Sequence, residues 1–330
     1  MSLDPARRAG LEKSRATAVA RDHFSFDVDS SQVFAAPFGV CVRDGGRAVV
    51  VSSSSDLAAL GGVLLWKARN DVDLIEFVVE HHSGIHARRV AALAAEISVH
   101  RLDGSSVSAV DPDPIASPHP VPDDVAPLID AIEAAGADVV IEDGIVRAEV
   151  AGLEVGRVVT GPQGSLIEVG VGRFDREAGA MLHAGRPVDA TLRDTIARVS
   201  EHRQVGAVSH AVNRIGRERW LRAQALADPG TVGVSNVALV EPVPPRTSLL
   251  EARAAALLGV DDAGALTLVV FSAGVDLGGV PEAVDLIATT NAERVIFAAP
   301  ERDHLPAVAE LIRLLPVPAE LVAVAEPWVA

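Results

Sequence analysis

"RAVVVSSSSDLAALGGVLLWKARNDVDLIEFVVE", residues 47–80, passes from a β-branched run through a serine-rich turn into an apolar helix and out into a second β-branched run. Short apolar runs of this kind, joined through a helix, suit parallel strands buried on both faces. The stretch "TLVVFSAGVDLGGVPEAVDLIATTNAERVIFAAP", residues 267–300, has the same order. A shift of 220 positions aligns Val49 with Val269, Val50 with Val270, Ser52 with Ser272, Asp56 with Asp276, Leu57 with Leu277 and Phe77 with Phe297, with no gap. Each stretch follows a turn, "RDGG" at 43–46 and "DDAG" at 261–264, and runs on into another helical segment and a short last strand.

Two β-α-β-α-β units are therefore expected, one over residues 25–102 and one over 249–330. A three-stranded unit alone leaves a bare edge. The expected solution pairs the two Rossmann-like units into one doubly wound, mostly parallel sheet. This is an α/β architecture with an inserted α+β middle domain at 125–240. The Pro-, Ser- and Asp-rich stretches 103–124 and 241–248 read as linkers, and residues 1–24 as a flexible N-terminal segment.

The 330 residues, 49% hydrophobic and 22% charged, suffice for such a multi-domain globular chain. Aromatics make up only 3%, so the cores must be aliphatic. The longest apolar runs fall short of a bilayer span, and one cysteine, Cys41, admits no internal disulfide. The composition predicts a cytoplasmic protein with no membrane partner. A net charge of −16 argues against coating nucleic acid, except through a local basic patch. Only Lys13 and Lys67 supply lysine, so the patch would be made of arginine.

The middle segment reads as a helix at 125–136, four short strands with turns suited to an antiparallel meander, and then further helices. In "SLIEVGVGRFDREAGAML", residues 165–182, alternation places Leu166 and Glu168 on one strand face and Ile167, Val169 and Val171 on the other. Glu142 and Glu149 are the acids of the neighbouring strands. This order over 125–185 resembles the core of the restriction-endonuclease-like nucleases. The resemblance implies a metal held by acids such as Glu149 and Glu168, with Arg173 nearest to the place of that family's water-activating lysine. The position two after Glu168 is Gly170, and an arginine is too basic to act as a base. The chain as a whole resembles a family of high-GC bacterial α/β proteins, a resemblance that implies no activity.

Open α/β sheets bind ligands beyond the carboxyl ends of their strands. Ser53, Ser54, Asp56, Glu80, His82 and Asp276 are the candidate residues there, for an anionic small molecule. Asp56 and Asp276 also suit helix caps. His82 and His86, four apart, could share a zinc ion with Glu80, although loose spacing favours a solvated turn. Segment 186–226 holds eight arginines against four acids, a net +4. Its Arg214, Arg217, Arg219 and Arg222 are candidates for an anionic partner, or for docking against the protein's own acids. No cofactor is expected, and a homodimer is a further candidate partner. The leading expectation is an α/β protein that binds an anionic ligand or partner without strong catalysis. The alternative is a divergent metal-dependent nuclease, the one reading that calls for nucleic acid.

Overall fold

A computed structural model describes residues 4–27, 32–162, 164–182, 186–246, 248, 251 and 253–328. Helix α1 (Pro5–Phe24) opens the chain, followed by strands β1 (Val33–Ala36), β2 (Gly39–Asp44) and β3 (Arg47–Ser52). Then come α2 (Ala59–Arg69), β4 (Leu74–Val79), α3 (Ser83–Ala92), β5 (Ile97–Asp103) and β6 (Ser106–Ala109). The middle carries α4 (Ala126–Ala134), β7 (Asp138–Glu142), β8 (Ile145–Val150), β9 (Leu153–Gly161), β10 (Gly164–Val169), α5 (Gly172–Leu182), α6 (Val188–Ser200) and α7 (Arg217–Ala227). The chain ends with β11 (Val234–Val240), β12 (Ala255–Asp261), β13 (Leu266–Phe271), α8 (Gly279–Thr290), β14 (Arg294–Ala299), α9 (Pro306–Ile312) and β15 (Ala319–Ala323). No described helix is long and apolar enough to cross a membrane.

The chain divides into two compact units, neither of them continuous in sequence. The first comprises residues 1–114, 276–285 and 305–319, and the second 115–275, 286–304 and 320–330.

In the first unit a six-stranded sheet runs in the order β1-β2-β3-β4-β5-β6. Strands β3, β4 and β5 are parallel, and the outer pairs are antiparallel. Val49, Val50, Ile75, Phe77 and Val78 are buried, as strands covered on both faces require. Residues 1–24, expected to be flexible, are instead helical over Pro5–Phe24. Ala16, Val19 and Ala20 of α1 pack with Phe26 against Val40, Val42, Val49 and Val51, so this helix is part of the core. The expected linker 103–124 also begins in the sheet, because β6 pairs with β5.

The second unit holds two sheets. One is the four-stranded meander β10-β9-β8-β7, antiparallel throughout. Its apolar face, with Val146, Ala148, Leu153, Val155 and Ile167, packs against Ile132 of α4 and Leu192, Ile196 and Val199 of α6. The other is the five-stranded sheet β11-β12-β13-β14-β15, with β13 and β14 parallel and β11, β12 and β13 antiparallel. Trp220 and Leu221 of α7 join Leu257, Val269, Phe271 and Ile296 in its core.

The expected single doubly wound sheet is not formed: the first and last units of the sequence lie in separate sheets. The reason is local. The hairpins ending in "RDGG" and "DDAG" place β2 beside β3 and β12 beside β13, which satisfies the edges that pairing the two units would have used.

Candidate functional site

The meander has one apolar face and one charged face. Strand β8 shows why: Val146, Ala148 and Val150 enter the core, so Arg147 and Glu149 must point the other way. Register carries the same face across the sheet, pairing Arg147 with Arg157 and Arg157 with Glu168. A register shift after Ala148 sets Glu149 opposite Glu154. Glu142, Glu149 and Glu154 are each at most 2% exposed, which is tolerable only with partners.

Arginines from four directions supply them. Arg147 Nη1 donates to Glu154 Oε2 at 2.5 Å, and Arg176 of α5 donates to Glu154 Oε1 at 2.8 Å. From α7, Arg219 and Arg222 donate to the two oxygens of Glu149 at 3.2 and 3.3 Å. Arg246 donates from Nε to Glu142 Oε2 at 2.5 Å and from Nη2 to Glu149 Oε1 at 3.3 Å. Burial works against the charge of Glu149, but Arg219, Arg222, Arg246 and Arg147 outweigh it and hold the carboxyl below its usual range. Removing one partner from such a buried group costs about 3–5 kcal/mol.

A cleft of about 1120 Å³ opens beside this network. Arg147, Arg157, Arg173, Arg176 and Arg246 line it against Glu154, Glu168 and Glu177, five cations to three anions. Glu168 is only loosely held, 3.6 Å from both Arg157 and Arg176. Three buried donors of the lining, Arg147 Nε, Arg157 Nε and Arg246 Nη1, have no hydrogen-bond partner among the described residues, and of these Arg147 Nε is ion-paired with Glu142 at 3.1 Å. The start of α5 forms one wall. Gly170 makes that wall feasible: its φ is +142°, and its N–H reaches Val155 O at 2.8 Å.

The acids of the nuclease resemblance do not form a metal centre. Glu149 is enclosed by guanidinium groups that repel a cation, Glu168 sits beside two more, and Arg173 pairs with Glu177 at 2.7 Å. Among the described residues no three His, Cys, Asp or Glu side chains group so as to hold a metal.

Of the four arginines expected to meet an anionic partner, Arg219 and Arg222 are buried on Glu149 and face no outside partner. They do dock on the protein's own acids, through a strand of the middle sheet. Arg217 lies over the Trp328 ring at 4.8 Å and donates to Asn213 O, and Arg214 is exposed.

The first unit assembles part of the expected strand-end set. Ser53 and Ser54 line a cavity of about 220 Å³ with Glu12 and Arg15, and Arg15 pairs with Glu80 at 2.5 Å. The Ser54 hydroxyl accepts from Asp56 N–H and the Asp56 carboxylate from Ala58 N–H, so these groups serve the turn. Asp276 accepts from Gly278 and Gly279 N–H; burial, with Asp56 nearby, still raises its carboxyl pKa. His82 is an exposed residue in the left-handed region, whereas His86 is 1% exposed with its ring edge-on to Phe77. One ring faces solvent and the other the core, so the two do not share a zinc site.

Arg147, Glu154, Arg157, Arg176 and Arg246 are residues of the site that sequence reasoning missed, and Arg246 is the most remote of them. It lies in "EPVPPRTS", read as a linker, and an arginine among prolines was the only signal. No protein-family model, curated protein or solved structure matches the chain. What fold and site define is a class: an α/β protein with an arginine-lined cleft on the charged face of an antiparallel sheet.

Proposed function

We propose that the protein binds an anionic ligand in the cleft of the meander sheet. The observation that carries this reading is the buried Nη1 of Arg246, which has no hydrogen-bond partner among the described residues, in a lining where arginines outnumber acids. A buried donor without a partner costs about 1–3 kcal/mol, and a guanidinium more, so an acceptor bound in the cleft is favoured by the hydrogen bond that it makes to this donor. Guanidinium forks also match phosphate and carboxylate oxygens. The reading keeps the anionic ligand and moves its site from the strand ends of the first unit to the middle sheet.

The divergent nuclease reading finds less support, because the acids that would hold its metal are already neutralised by arginine. The matching strand order in the first and last sheets supports an internal duplication of a Rossmann-like unit.

Calorimetric titration with inorganic pyrophosphate at low salt tests the proposal. The expected result is saturable one-site binding that weakens about three- to tenfold in Arg157→Ala, where one partly exposed charged donor is lost. Absence of binding at millimolar pyrophosphate would overturn it.

A further inference from the structure

The cleft has a second kind of wall. Phe174 follows Arg173 in the first turn of α5 and is 85% exposed. Among the described residues no other phenylalanine is exposed, in a chain with only eight of them. Val171, Ile145 and Ile215 continue the apolar lining beside it. A ligand recognised by charge alone would need no such surface. An exposed aromatic ring beside guanidinium groups suits a ligand with a flat ring at one end and an anion at the other.

We infer that the ligand is a nucleotide, with its phosphate toward Arg246 and Arg157 and its base on the face of Phe174. The inference rests on the anion-binding reading above and narrows it. Charge sets the scale: five arginines against three glutamates leave two positive charges, which match one phosphate monoester dianion. A polynucleotide track needs many phosphate contacts and a basic surface, and this chain carries −16 overall. A volume of about 1120 Å³ slightly exceeds the roughly 300–1,000 Å³ of small-ligand sites and has room for base, sugar and phosphate together. Stacking on an aromatic ring tolerates any base, so the prediction is for the class and not for one nucleobase.

The test compares inorganic phosphate, ribose 5-phosphate and AMP by calorimetry, in the full chain and in Phe174→Ala. Because the side chain is exposed, its removal leaves the fold intact, and an unchanged melting curve verifies this. AMP is expected to bind at least about tenfold tighter than ribose 5-phosphate. Phe174→Ala is expected to abolish that margin, leave phosphate affinity within about twofold, and be rescued by Phe174→Trp. Ribose 5-phosphate binding as tightly as AMP sinks the nucleotide and spares the anion site. So does a Phe174→Ala variant that weakens all three probes equally. If none of the three binds, both readings fail.

Discussion

His86 shows what one buried titratable side chain does to the whole fold. Burial, then the nearby charges of Arg89 and His82, push its pKa down to about 3, so the ring is neutral in the folded state. The unfolded chain protonates it near pH 6.5. Since the folded pKa is the lower, the stabilisation is complete above about pH 6.5 and is lost as pH falls toward 3. Between pH 7 and 5 the wild type should lose roughly 2 kcal/mol more than His86→Leu, read from urea midpoints. Equal losses would show that the ring is free to charge in place. The pair His82 and His86 was visible as a motif, but whether a ring faces core or solvent depends on the backbone. His82 takes a left-handed conformation at the start of α3, and no spacing rule reports that.

At the level of elements, legibility followed locality. The β-branched runs, the hairpin turns at 43–46 and 261–264, and the meander with its inward Ile167 and outward Glu168 could all be read, because each is fixed by neighbours in sequence. What those hairpins do to a sheet edge was not legible, since pairing is decided by whichever strand arrives. Helix α1 was missed because charges spread along it mask the short stripe of Ala16, Val19 and Ala20. The start of α5 gives the prediction at this scale. A Cβ on Gly170 would stand 2.7 Å from Arg176 N, in a conformation that L side chains rarely adopt. Gly170→Ala should therefore cost about 1–3 kcal/mol and weaken pyrophosphate binding, as the α5 wall moves. Unchanged melting and binding would show that the turn has slack.

The whole molecule is not a row of sequence-contiguous domains. Asp285 of α8 belongs to the first unit, where it accepts from Arg88 and from the fully buried Arg89, both at 2.8 Å. Ala94 N–H likewise reaches Leu314 O in that unit. A fragment of residues 1–114 contains every strand of the six-stranded sheet yet leaves Arg89 without its carboxylate. A penalty of about 3–5 kcal/mol compares with the whole stability of a domain this size, about 5–15 kcal/mol. The fragment is expected to show no cooperative thermal transition by circular dichroism, and a sharp one would refute this account. Such long-range pairs leave no local pattern, which is why the boundaries read from composition differ from the compact units.

Arg246, Arg219 and Arg222 carry one more implication, for how this architecture can be reused. The meander looks like a self-contained cassette of four strands with its own helices. Its charged face is balanced by side chains that lie 97, 70 and 73 positions along the chain from Glu149. Grafted onto another scaffold without them, the sheet would keep its apolar core but carry three buried carboxylates with too few counter-charges. Its transplantable unit is the sheet together with α7 and the proline-rich arm, and a graft that omits both would have to rewrite Glu142 and Glu149 as neutral residues.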